Sequence, residues 1–115
     1  MGKRLHVVKK QEEYGSAEYF NWKYNEFANL LVVLGCDVWS IDEHNLERFD
    51  VETKEFEKAM EYVKQIKDGK TDFEDIDIED LNFDELGGID NVLEAMEVFH
   101  KQRDKETGWM TFVAW

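Results

Sequence analysis

The sequence predicts a single α+β or small α/β domain over residues 1–115, with a three- to four-stranded sheet that opens in a β-α-β unit and is packed by about three main helices. Three observations lead there. The length of 115 residues with 43% apolar types is near the commonest domain size. Three stretches repeat apolar residues at helical spacing, and two of them end at a glycine. Strand-like runs lie near both ends and after the first helical stretch, with about 26 residues between the first two runs, enough for a crossover helix.

Lys3 to Lys9 alternates, with Leu5 and Val7 on one face and His6 and Val8 on the other, and reads as a short strand. From a candidate N-cap at Ser16, Phe20, Tyr24, Phe27, Leu31 and Leu34 recur every three or four residues until Gly35, a residue favoured just past a last helical turn. Cys36 to Ile41 is β-branched and aromatic and reads as a second strand, parallel to the first. Residues 42–50 show no clean period and read as loop, with room for a short strand around Arg48–Phe49.

From about Val51 to Asp68, Phe56, Ala59, Met60, Val63 and Ile66 mark a helix face, Lys64 and Lys67 suit the dipole of its last turn, and Gly69 ends it. Residues 70–87 are acidic and irregular, although Thr71-Asp-Phe-Glu74 has the pattern of a capping box. Ile89, Val92, Leu93, Met96 and Phe99 define a third helix, whose Glu94 and Glu97 precede Lys101, Arg103 and Lys105 in the order its macrodipole prefers. Trp109 to Trp115 is apolar on both alternating faces and reads as an interior strand covered on both sides.

Charge is the most informative feature for function. The net charge is −13, while Lys3, Arg4, Lys9 and Lys10 gather near the start with no acid between them. Residues 68–97 hold twelve acids against the single base Lys70. Such a field repels nucleic-acid phosphates and anionic membranes and attracts basic partners. Candidate contact residues for a basic protein surface are Asp72, Glu74, Asp75, Asp77, Glu79, Asp80, Asp84 and Glu85, with Trp22 as an aromatic anchor off the main helical stripe. Tyr19 and Trp39 could join Trp22 in a patch, or all three could widen the core. Phe73, Ile76, Ile78, Leu81, Phe83 and Leu86 recur every two or three positions through the acidic stretch and would pin it to the core.

Other chemistry is thinly supported. Asp80-Leu-Asn82-Phe-Asp84 matches the first three ligand positions of a calcium loop, but Glu85 replaces the turn glycine and Asn91 the closing glutamate. Asp75-Ile-Asp77 resembles an Asp-x-Asp metal motif in a chain too short for the nucleotide-binding domain that usually carries it. No metal or cofactor site is assigned. Cys36 is the single thiol, and His6, His44 and His100 are its conceivable bases; a buried, inert cysteine is the commoner outcome. The neighbouring carboxylates Glu12 and Glu13, or Asp42 and Glu43, are not placed across a substrate by adjacency alone.

One cysteine permits no intrachain disulfide, and the apolar run after Met1-Gly-Lys-Arg4 is too short for a secretory signal, so a soluble cytoplasmic protein is expected. No stretch approaches the roughly 18 apolar residues of a membrane span. The functional expectation is therefore a non-catalytic acidic interaction domain binding a basic partner surface. Two alternatives are an inhibitor that mimics nucleic acid, of a phage or mobile-element type, and a small enzyme with a site near Cys36 or the acidic loop.

Overall fold

Two strands at opposite ends of the chain pair with each other, and that pairing organises the molecule. The computed structural model describes residues 4–10, 13–14, 20, 23–40 and 46–114. Strand β1 (Leu5–Lys10) is followed by the two-residue β2 (Glu13–Tyr14), helix α1 (Tyr24–Val33), strand β3 (Arg48–Glu52), helix α2 (Thr53–Lys67), helix α3 (Ile89–Gln102) and strand β4 (Trp109–Ala114). The main sheet is three-stranded and antiparallel, with β4 between β1 and β3, and β2 pairs with the outer side of β1. The fold class is α+β, with three helices as the sequence predicts.

The register explains the core. Leu5 and Val7 on β1, Phe49 and Val51 on β3, and Met110, Phe112 and Ala114 on β4 all face the helices. Phe112 sits at the centre: its ring stacks on Phe49 at 5.0 Å and meets Phe99 of α3 edge-on at 5.3 Å, with Phe56 of α2 at 5.7 Å and Phe27 of α1 at 6.0 Å. Each helix thus delivers a phenylalanine to one residue of the middle strand. Aromatic pairs at these separations add to the area they bury.

Several expectations are corrected. The β-α-β opening is absent from the described residues, because every strand pair is antiparallel. Cys36 to Ser40 forms no continuous strand and makes a single bridge, Trp39 to Asp50, and Ile41 lies outside the described residues. The third strand of the sheet is instead Arg48–Glu52, in the region where only a short strand was expected. Strand composition reports a fit to a half-buried surface, and Cys36 meets that need by packing into the core without continuous pairing.

The first helix begins at Tyr24, and Ser16 lies outside the described residues; Phe20 precedes the helix in left-handed backbone, φ 58°, stacked 4.6 Å from Phe27. Interior placement of β4 holds, and its two faces differ: Met110, Phe112 and Ala114 are buried against the helices. On the other, Trp109 is exposed and Thr111 and Val113 are half-buried. The capping-box pattern at Thr71 to Glu74 starts no helical turn; short 3-10 turns form instead at Ile78–Asp80 and Asp84–Leu86. Gly35 and Gly69 end α1 and α2 as read, at φ 97° and 103°.

Candidate interaction surface

The connection from α2 to α3 is built from two alternating residue types with opposite destinations. Its apolar members go inward: Ile76 and Leu86 are buried, while Phe73, Ile78, Leu81 and Phe83 are half-buried and packed against the core. Phe73 meets Tyr62 of α2 edge-on at 5.6 Å, and Lys70 Nζ lies 4.8 Å from the Phe73 ring centroid. All twelve acids of residues 68–97 are exposed.

Local hydrogen bonds fix the backbone between these anchors. Asp77 Oδ1 accepts from the Glu79 N–H at 3.0 Å and so caps the first 3-10 turn. Asn82 Oδ1 accepts from the Glu85 N–H at 3.3 Å, and Asn91 Nδ2 donates to the Leu86 carbonyl at 2.7 Å. Gly88 N–H closes on the Phe83 carbonyl at 2.8 Å just before α3 begins. The acidic chain is therefore wrapped on the core with its carboxylates outward.

The predicted contact residues divide into groups. Asp72, Glu74 and Asp75 lie on the irregular stretch after α2, Asp77, Glu79 and Asp80 cap or form the first 3-10 turn, and Asp84 and Glu85 open the second. Asp80 and Glu85 come together with Asn82 against Glu26, Asn29, Leu30 and Val33 of α1, around a groove of about 190 Å³. Glu26 was not singled out from the sequence. Among the described residues its Oε2 is buried without a hydrogen-bond partner. Trp22, Tyr19, His44, Glu12, Asp42 and Glu43 lie outside the described residues.

Among the acids of residues 68–97, Asp90 forms an ion pair, 2.8 Å from Lys67 Nζ, and that hydrogen bond and charge raise the Lys67 pKa, with Asp68 and Glu97 adding to it. Among the described residues no group of three or more His, Cys, Asp or Glu is placed to hold a metal ion. The calcium-like Asp80-Leu-Asn82-Phe-Asp84 run is instead divided between two 3-10 turns, and Asn82 spends its side-chain oxygen on Glu85.

Cys36 is buried, and its Sγ donates to the Glu55 carbonyl at 3.4 Å. Burial first, then the charges of Glu55 and Asp37, push its pKa up to about 12. The nucleophilic form is thus suppressed at neutral pH. Nor is His6 a neighbouring-strand base for it: β1 is separated by β4 and β3 from the 36–40 segment.

A second feature was only partly legible. Val32, Trp39 and Trp109 are the exposed large apolar residues among those described, at 53%, 61% and 45%. Val32 and Trp39 share one groove of about 530 Å³ with Asp37, Val38, Ser40 and Leu46. The sequence leaves Trp39 open between a surface patch and the core, whereas Val32 carries no local signal of exposure.

No protein-family model, no curated protein and no solved structure matches this chain. Among the described residues, no helix is long and apolar enough to cross a membrane.

Proposed function

We propose that the protein is a non-catalytic acidic interaction domain of the cytoplasm that binds a basic protein surface through the 68–97 segment. One observation carries the reading: twelve exposed carboxylates are displayed on a backbone held by buried Ile76 and Leu86 and by local caps. A fixed array of like charges lowers the entropy lost on binding and steers an oppositely charged partner toward it. The buried, protonated Cys36 supports a role without thiol catalysis.

The test is capture of basic proteins from extract by wild type and by a variant carrying D72N, E74Q, D75N, E79Q and E85Q, followed by titration of each purified partner. Binding is expected to weaken about tenfold or more from low to physiological salt and to fall sharply in the variant. Equal capture by both proteins ends the reading. Duplex DNA competing for the captured protein would identify that partner as a nucleic-acid binder.

A further inference from the structure

We propose that the Val32–Trp39 groove is a docking site for an extended segment of a partner protein, in which one large apolar side chain is flanked by lysine or arginine. The proposal rests on the reading of the chain as a partner-binding domain and specifies a second contact surface, distinct from the 68–97 carboxylates.

The apolar part follows from exposure and shape. A tryptophan at 61% and a valine at 53% leave much apolar surface in water, and both line the same concavity with Val38 and Leu46. Scattered exposed apolar residues are ordinary, but apolar residues gathered in a groove mark a binding surface. A volume of about 530 Å³ accommodates a leucine, phenylalanine or tryptophan side chain with part of its backbone.

The extended form follows from the backbone. Trp39 directs its N–H and C=O at Asp50 on β3. In an extended chain successive residues point these groups to opposite sides, so those of Val38 face away from the sheet. Among the described residues nothing bonds them. Val38, which lines the groove, therefore offers a donor and an acceptor as an edge strand does to an added strand.

The basic flanks follow from charge. Asp37 lines the groove and is exposed, and Glu55 lies beside it, accepting the Asp37 N–H at 2.9 Å. Lysine or arginine beside the apolar side chain would face these two carboxylates. A second copy of the chain is disfavoured as occupant, because each copy carries −13.

A displayed random peptide library selected on the full chain tests this. Enrichment of peptides with Leu, Phe or Trp between Lys or Arg is expected. A synthetic winner should lose about tenfold or more in affinity to Trp39→Ser and to Val32→Ser, and slow amide exchange at Val38 in the wild-type complex. Both replaced side chains are largely exposed, and unchanged circular dichroism checks that the variants fold.

No enrichment, a selected motif lacking either the apolar or the basic element, or equal binding by Trp39→Ser overturns the proposal. Winners sensitive only to the five-carboxylate variant overturn the groove while leaving the acidic surface standing. Winners sensitive to Trp39→Ser but captured normally by the five-carboxylate variant support the groove and count against the acidic surface. A wild-type dimer in sedimentation that Trp39→Ser dissociates makes a second copy the occupant and overturns the proposal.

Discussion

Trp39 and Asp50 exchange both backbone hydrogen bonds, 2.9 Å from the Trp39 N–H and 2.8 Å from the Asp50 N–H, across one antiparallel bridge at the edge of β3. Ser40 reinforces it, its hydroxyl donating to the Arg48 carbonyl at 3.0 Å. The bridge places residues 37–40 along the sheet edge and leaves the Trp39 side chain largely in water.

Because that attachment is made by the main chain, Trp39→Ala should change unfolding free energy by only about 0.5 kcal/mol. Ser40→Ala removes the exposed hydrogen bond to the Arg48 carbonyl and should cost about 1 kcal/mol. Urea denaturation of both variants checks this. A loss of several kcal/mol for Trp39→Ala would mean that the indole carries structural packing, and it would disqualify that position as a clean probe of binding.

Phe112 should behave in the opposite way. It is fully buried and touches an aromatic ring from each of the three helices and from β3. Phe112→Ala is expected to destabilise by about 3–5 kcal/mol, through lost transfer energy and the cavity left behind, whereas Phe112→Leu should cost distinctly less. Calorimetry of the two variants measures the difference; equal, small losses would remove Phe112 from the centre of the core.

Gly87 links the acidic segment to α3 with a left-handed φ of 89°, and a Cβ there would stand 2.8 Å from Asn91 Nδ2. Asn91 uses that same nitrogen to hold the Leu86 carbonyl. Gly87→Ala should therefore cost about 1–2 kcal/mol for the backbone and about 1 kcal/mol more for the displaced amide. Gly69→Ala is the control: its φ is 103° but nothing lies within 4 Å of the added carbon, so it should show the backbone cost alone. Equal denaturation midpoints for the two variants would show that the Asn91 contact carries no energy.

These residues also show how far the sequence could be read. Helical spacing located Phe27, Phe56 and Phe99, and the spacing of Ile76 and Leu86 foretold that the acidic stretch is anchored, since period and burial are local properties. Partnering was not local. The apolar run from Cys36 looked like a strand because it packs on the core, yet Arg48–Glu52, rich in charge, is the strand that pairs with β4. Glu26 and Val32 gained their significance only when the loop after α2 and the 37–40 segment came to lie beside α1.

Cys36 provides a test governed by pH. In the folded protein its pKa rises from 9.0 to about 12, chiefly through burial and secondarily through Glu55 and Asp37. The native state therefore keeps a proton that the unfolded chain releases as pH rises above 9. The resulting stabilisation is fully present below pH 9 and is lost progressively between pH 9 and about 12. Cys36→Ala should be less stable than wild type by about 1 kcal/mol at neutral pH, because a small cavity opens, and its disadvantage should shrink or reverse in alkali. Denaturation of both proteins from pH 7 upward measures that gap while the other titrating groups cancel. Thiol reagents at pH 8 should label wild type only as fast as it opens; labelling at the rate of a free cysteine, with a gap independent of pH, would show that Cys36 is accessible and ionisable in the native fold.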